Sequence, residues 1–347
     1  MAYWTDKYFG SLYHEIYSQH LLDPQRALEE ASFASEVLDL GRRTVLDVAC
    51  GFGRHARLLA SSNRVIAVDR ARQYVEAAKT DLSARVASNM LAVQGDMREL
   101  PLAGSCIDAA VMLFNSFGYF GADDDEIDRG AAGLGGGAKR QVWKLPSVFY
   151  ERHLVDSSFG EFRDRAAAGA GTSHDAADSE RRSPLAGFQG NQPAAVSAQT
   201  VVSGKIANTT TIEDDPNLQV LREVSRVLKP GGGLLLEIPN RRLLLEAVEE
   251  NPRRLMVLGE YEIHEQFEWD GDRQRLINRT RFVAGDRQES GGYSVRLYEP
   301  AEVRELIALA GLRWQRAYGD YEGGRFGPAN SDVMLVQATR PARPRTK

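Results

Sequence analysis

Compact apolar runs alternate with segments of helical spacing along most of the chain, and their order predicts the elements. Val45, Leu46 and Val48 form a short, partly β-branched run of the kind buried in a parallel strand. Arg57, Leu58, Leu59 and Ala60 continue at helical spacing, and 65–68 is a second apolar run that ends in Asp69. The pattern then predicts a helix over 71–82, a third strand from Leu91 that leads to Asp96, and a fourth over 107–114. Leu218, Leu221, Val224, Val227 and Leu228 mark a helix running into Lys229-Pro-Gly-Gly, which precedes the apolar strand 234–238. Upstream, Tyr13, Ile16, Tyr17 and His20 share one helical face. Asp23-Pro24 opens a second helix as N-cap and N1. Ala27, Leu28, Ala31, Ala34, Val37 and Leu38 are its expected buried stripe, and Gly41 ends it.

Downstream, 243–250 reads as helical. Residues 261–267, 276–283 and 293–297 alternate in part, separated by Asp270-Gly-Asp and Gly291-Gly, which predicts antiparallel strands of a small cap. Glu299-Pro-Ala-Glu302 caps a helix to Ala310, and 312–318 and 332–338 are the closing strands. Between the fourth strand and the helix at 218 the pattern breaks. Residues 121–213 carry Gly/Ala runs at 130–137 and 166–171, Ser/Asp clusters and one apolar patch at 142–162. That composition predicts a long, mostly disordered insertion with a helix near 149–166. A substrate lid or subunit contact through Trp143, Val148, Phe149 and Phe162 is the functional alternative.

Chemistry gathers at 44–69. Strand, Gly-rich turn and helix leave backbone N–H groups at a helix N-terminus, and Gly51 and Gly53 accept positive φ. Asp69, at the carboxyl edge of the sheet, is placed to accept both hydroxyls of a ribose. The stretch therefore reads as a nucleoside-binding βαβ unit. Gly51-x-Gly53-x-x-Ala56 also satisfies the dinucleotide fingerprint, which keeps an NAD-dependent oxidoreductase open as an alternative. Asp47, four residues before Gly51, would confront a pyrophosphate with a carboxylate; a ligand carrying an ammonium and a sulfonium suits it better.

Asp47 with the Gly51/Gly53 turn, Asp69, Gln94-Gly-Asp96-Met97 and Leu228-Lys-Pro-Gly-Gly, in that order and spacing, resemble the class I S-adenosylmethionine (SAM)-dependent methyltransferases over roughly 40–120 and 215–340. The resemblance implies an α/β fold, a Rossmann-like doubly wound seven-stranded sheet with a small antiparallel cap at about 260–298 and the long insertion. It implies a SAM-binding domain over 41–120 and 214–340, with an N-terminal helical segment, 1–40, as a lid. By the same resemblance the turn Cys50 to Gly53 holds the methionine end of SAM and Asp47 lies near its ammonium. Asp69 takes the ribose hydroxyls, Asp96 and Met97 flank the adenine, and Ala49, Arg70 and Leu113 belong to the same site. Arg54 either reaches the SAM carboxylate or is a surface residue of the first helical turn. The aromatic-rich 3–22 is either an amphipathic helix packed on the domain or a cover for the methyl donor.

Methyl transfer from a sulfonium needs little beyond alignment of donor and acceptor, but an amine or hydroxyl acceptor needs a free lone pair. His14, His20 and His264 are candidate bases, each more readily read as structural or solvated, with Tyr13 and Tyr17 as orienting groups; Asn115 lines the substrate side beyond the fourth strand. The Asn/Asp-Pro-Pro-aromatic tetrad of amino-adenine methyltransferases and a Pro-Cys nucleophile are both absent there. Gly95-Asp-Met-Arg98 and Phe114-Asn-Ser-Phe-Gly118 are similar to N-methyltransferases of amino sugars and glycine. The expected acceptor is thus the nitrogen or oxygen of a small molecule, and a catalytically silent SAM-binding scaffold is a third reading.

Composition narrows the partners. A net charge of −5 gives no general attraction to nucleic acid. Two cysteines, Cys50 and Cys106, build no disulfide framework and no metal-ligand spacing, which suits a reducing compartment. No run approaches a membrane span and the N-terminus lacks a signal-peptide core. A cytoplasmic monomer or homodimer without metal is expected. The tail 341–347 is expected to fray, with a nucleic-acid arm as the sharper alternative.

Overall fold

The computed structural model describes residues 8–17, 23–80, 82–121 and 211–342. The expectations for the insertion, for His20 and for the end of the tail lie outside them. The first described helix is α1 (Ser11–Ile16), followed by α2 (Pro24–Val37), whose N-cap Asp23 accepts from the Gln25 amide at 2.8 Å. The βα units follow: β1 (Thr44–Val48), α3 (Arg54–Leu59), β2 (Arg64–Asp69), α4 (Arg72–Ala78), α5 (Ala84–Asn89), β3 (Met90–Gln94) and β4 (Ile107–Met112). After the insertion come α6 (Leu218–Val227), β5 (Leu228–Pro239), α7 (Arg241–Glu250), then β6 (Arg253–Leu258), β7 (Tyr261–Asp270), β8 (Arg275–Ala284) and β9 (Arg287–Arg296). Helix α8 (Pro300–Leu309), β10 (Arg313–Tyr318) and β11 (Val333–Thr339) close the chain.

The strands form two sheets. Seven are ordered β10-β11-β5-β4-β1-β2-β3, parallel except that β11 runs antiparallel to both β5 and β10. The expected doubly wound sheet is therefore present. The other four, β6-β7-β8-β9, make an antiparallel meander. Alternate residues of the central strands face opposite layers, as the two-residue period of a strand demands. Leu46, Leu234 and Leu236 pack with α6 and α8 on one face. Val45, Val111 and Leu235 pack with α2, α3 and α4 on the other. A third apolar cluster joins Leu12, Tyr13 and Ile16 of α1 to Ile263, Phe282 and Tyr293 of the antiparallel sheet.

Several elements differ from the sequence reading, each for a local reason. Leu28 is 46% exposed; α2 instead buries Ala27, Glu30, Ala31, Phe33 and Ala34, so an acid occupies the stripe. The helix expected over 71–82 stops at Ala78, where the Thr80 hydroxyl bonds back to the Ala77 carbonyl at 2.8 Å, and Ser83 caps the separate α5. Strand β5 starts at Leu228, because Leu228 already pairs with Ile107 of β4; Lys229 to Gly232 bulge out of the ladder, which resumes where Gly233 meets Ala109, and Lys229 is anchored on Asp108 at 2.7 Å. Strand β6 lies in an Arg/Leu stretch without clean alternation and escaped the reading altogether.

Candidate active site

Where the chain returns from β3 to β4 the strand order reverses, and the carboxyl ends of β1 and β4 flank a crevice. Ala49, Gly51 and Gly53 all take positive φ between β1 and α3. At Gly53 a Cβ would come 2.8 Å from the Ala78 Cβ, so this glycine is what lets α3 approach α4. At Gly51 nothing lies within 4 Å, and its backbone faces open space. Its amide is nevertheless engaged: Gly51 N donates to Asp69 Oδ2 at 2.9 Å, and Ala71 N donates to Oδ1 at 2.8 Å. Asp69 thus ties the glycine turn to the second βα connection. It keeps lone pairs for a further donor, since a carboxylate accepts about four hydrogen bonds.

Asp47, Ala49, Cys50, Gly51 and Arg54 from the first turn line one cavity of about 240 Å³. Asp69, Arg70, Asp96, Met97 and Leu113 line it from the neighbouring strand ends, and Tyr13, Tyr17 and Asn115 line it too. The two halves of the reading, donor side and acceptor side, therefore meet in one space. Gly53 is not among the lining residues. Nor is His264, which sits half-buried on β7 paired with Glu262 at 2.9 Å, nor His14, whose ring packs edge-on against Phe52 at 4.4 Å. Burial lowers the His14 pKa.

Asp47 has a buried carboxylate oxygen, Oδ2, with no hydrogen-bond partner. Burial pushes its carboxyl up to about 7; Arg54 pulls against that shift and Asp69 adds to it. Arg54 pairs with the buried Glu30 (Nη1 to Oε2 2.9 Å) off the hydrogen-bonding axis, so both terminal guanidinium nitrogens lack an acceptor. Its Cζ lies 4.6 Å from the Phe114 ring centroid. An unmatched acceptor and an unmatched donor thus border the same cavity, and each is costly to bury unless a ligand completes it. On the opposite wall burial raises the Asp96 carboxyl, but two hydrogen bonds from the Arg98 guanidinium (3.1 and 2.7 Å) hold it below its ordinary value.

The remaining wall is aromatic. Tyr13 stacks on Tyr17 at 3.8 Å, Tyr8 contacts Tyr13 and Tyr293 at 5.2 and 5.1 Å, and Phe9 lies 6.4 Å from Tyr119. Phe52, Tyr74 and Tyr293 were not singled out from sequence, and only their place in the fold assigns them to the cavity. Phe114 and Asn115 both adopt positive φ, and the Phe114 amide donates to the buried Glu237.

A family profile described as a methyltransferase domain matches residues 45–131. Over that stretch the chain carries a methyltransferase domain. The structure is similar to the CcbJ methyltransferase from Streptomyces caelestis, at 15% identity and a TM-score of 0.58 over 94% of this chain and 96% of the other. It is also similar to a SAM-dependent methyltransferase from Clostridium acetobutylicum, at 12% identity and a TM-score of 0.59 over 95% and 98%. These likenesses are likenesses of fold. No curated protein sequence matches the chain. The lining residues fit SAM, the methyl donor that the sequence resemblance implies: the lone Asp47 oxygen suits an α-ammonium, the Arg54 N–H groups suit an α-carboxylate, and the open backbone at Gly51 leaves room between them. Among the described residues no helix is long and apolar enough to span a membrane, and no group of His, Cys, Asp and Glu could hold a metal ion.

Proposed function

We propose that this methyltransferase acts on the nitrogen of a small-molecule amine. When bound, SAM supplies an electrophilic methyl group on a sulfonium. Asp47 then pairs with its ammonium, Arg54 with its carboxylate and Asp69 with its ribose, which fixes the donor at the carboxyl ends of β1 and β2. Alignment is most of what such a displacement requires of a protein.

The observation that carries the nitrogen reading is the acceptor wall itself. Tyr8, Phe9, Tyr13, Tyr17, Tyr119 and Tyr293 form it, with Asn115 and Ser116, and among the described residues it holds no carboxylate or imidazole free to take a proton. His55 does reach the cavity, but burial and Arg54 push its pKa down to about 4 and it is held on Glu30 at 2.6 Å. Burial raises the Tyr119 phenol above its ordinary value, so it stays neutral. An aliphatic hydroxyl needs a base to become nucleophilic near neutral pH, whereas an amine in its free-base form brings its own lone pair. Aromatic faces also favour the cation formed when an amine is alkylated. Asn115 offers a neutral polar contact for orienting the acceptor. A dinucleotide is disfavoured by Asp47, whose carboxylate would oppose a pyrophosphate.

The test is methyl transfer from labelled SAM to a panel of amines, alcohols and phenols. Label should enter amines, with kcat/KM rising with pH in step with the acceptor's own ionisation. Transfer to hydroxyls alone would overturn the nitrogen reading, and S-adenosylhomocysteine binding without transfer to any extract fraction would favour a silent scaffold.

A further inference from the structure

We propose that Glu30, Arg26, Tyr321 and Glu237, none of which reaches the cavity, form a closed circuit with Phe114 that positions Arg54 for the carboxylate of the methyl donor. The proposal rests on the reading of Arg54 as that carboxylate's partner. The circuit runs through five stretches of chain. From α2, Glu30 pairs with Arg54 (Nη1 to Oε2 2.9 Å) and accepts from Arg26 Nε at 3.0 Å. The Arg54 guanidinium lies over Phe114 at 4.6 Å, and the Phe114 amide donates to Glu237 on β5. Glu237 Oε2 also accepts from the Tyr321 hydroxyl at 2.6 Å, and Tyr321, in the β10–β11 connection, lies with its ring 5.3 Å from the Arg26 guanidinium. Arg26 returns to Glu30, and the circuit is closed.

This arrangement does what an isolated ion pair would not. Arg54 is a long side chain whose freedom must be given up before it can meet a ligand, and preorganisation removes that cost from binding. The circuit fixes it from two sides: an ion pair along one edge and an aromatic face beneath. The off-axis geometry of the pair leaves the terminal N–H groups unmatched, as a site awaiting an acceptor should. The charges agree. Burial opposes ionisation of Glu30, but His55, Arg54 and Arg26 bring its pKa down to about 2, so it is anionic. Burial and the Glu30 charge push Glu237 toward its neutral form. The Arg26 and Arg54 guanidinium groups thus both face the ionised Glu30 carboxylate. Glu237 also holds Phe114 and Asn115 in their left-handed turn, so the same circuit connects the donor's carboxylate end to the start of the acceptor wall.

The test compares calorimetric affinities for S-adenosylhomocysteine and its decarboxylated analogue. The wild-type protein should prefer the carboxylated ligand by about tenfold or more, the range of a charge-assisted hydrogen bond, and Arg54→Gln should erase the preference. Glu30→Gln and Tyr321→Phe, which touch no ligand, should each lose most of that preference while changing affinity for the decarboxylated analogue less than about threefold. If Arg54→Gln loses the preference and both positioning variants keep it, the circuit is overturned and the Arg54 reading stands. Should Arg54→Gln keep it, the underlying reading falls and the circuit with it. Equal weakening of both ligands alongside a lower melting temperature would make the circuit merely structural and also overturn it. If Glu30→Gln does not fold, Tyr321→Phe decides, because it removes one hydroxyl and leaves every charge in place.

Discussion

Three buried acids stand out at the scale of single residues, and each interrupts an apolar pattern. Asp47 stands between Leu46 and Val48, Glu237 between Leu236 and Ile238, and Glu30 beside Ala31 in the buried stripe of α2. A buried carboxylate survives only with partners or with a ligand that supplies one. Glu30 and Glu237 have theirs; one oxygen of Asp47 has none. This makes ligand binding pH-dependent, and the sign follows from the raised pKa. The ordinary carboxyl pKa is about 4. Because Asp47 titrates near 7 in the folded protein, its contribution to apoprotein stability is full below pH ~4 and is lost as pH rises through about 7. A cationic ligand group pairs only with the carboxylate form, so affinity for S-adenosylhomocysteine should rise about tenfold from pH 6 to pH 8. Calorimetry at the two pH values, for the wild type and Asp47→Asn, checks this. The variant should bind more weakly at pH 8 and lose the pH dependence; a flat wild-type profile would mean that Asp47 does not meet the ammonium. Asp47, Asp69 and the glycine turn were legible in the sequence because strand, turn and acid follow one another along the chain. Glu30, Glu237 and Tyr321 were not, since the pairings of Glu30 with Arg54, Glu237 with Phe114 and Tyr321 with Glu237 join distant parts of the chain, and only the fold brings them together.

Among the elements, α1 is the one whose role the sequence left divided between packing and covering. Helix α1 has only six residues, too short to hold itself in water, and its N-cap is Gly10, which has no side chain to offer. Glu289 on β9 supplies the cap from outside, accepting from the Leu12 amide at 3.0 Å and from the Ser11 hydroxyl. Glu15 accepts from the Tyr261 hydroxyl at 2.7 Å and from the Arg287 guanidinium at 2.8 and 3.0 Å, and the Arg287 hydrogen bond is the main reason its pKa falls to about 2. The antiparallel sheet therefore holds the helix that carries Tyr13 and Tyr17 over the cavity. Glu289→Ala should destabilise α1 by about 0.5–2 kcal/mol, the loss of one N-cap. Hydrogen exchange should show faster opening across 11–16, with a global melting temperature nearly unchanged. Removing residues 1–22 should abolish turnover and weaken SAM; full activity in the truncated protein would reduce α1 to packing. The central strands and α2 were readable because a two- or 3.6-residue period marked them. Strand β6 was not, because its Arg-Arg-Leu-Met-Val-Leu pattern is set by pairing with β7 rather than by a clean alternation.

For the whole molecule the open question is how a compact fold tolerates an insertion of about ninety residues beside its ligand crevice. The points where the chain leaves and returns give the physical answer. Phe120 N donates to Asn217 Oδ1 at 3.0 Å, and Asn217 Nδ2 donates back to the Phe120 carbonyl at 3.2 Å. Gly121 lies against Pro216, where a Cβ would come 2.9 Å from the proline ring. Buried Arg275 of β8 donates to the Phe120 carbonyl at 2.9 Å and to Ser294 Oγ at 2.8 Å, fastening the same point to the antiparallel sheet. The two ends are thus held side by side by the fold itself, and the excursion between them need not do it. Loop-closure entropy grows only slowly with length, about 0.6 kcal/mol per doubling, so a long connection costs the core little more than a short one. Replacing residues 123–209 by a short Gly/Ser linker should therefore leave the melting temperature and the affinity for S-adenosylhomocysteine nearly unchanged. Asn217→Ala should do the opposite: it leaves the segment intact but removes the clasp, and although the Phe120 carbonyl keeps Arg275, the part-buried Phe120 amide loses its partner, at about 1–3 kcal/mol. A large loss of stability in the linker protein would show that the segment packs on the domain, contrary to what its Gly/Ala-rich composition implies. Unchanged donor affinity with an altered range of acceptors would make it a lid, since it departs from the strand end that carries Asn115.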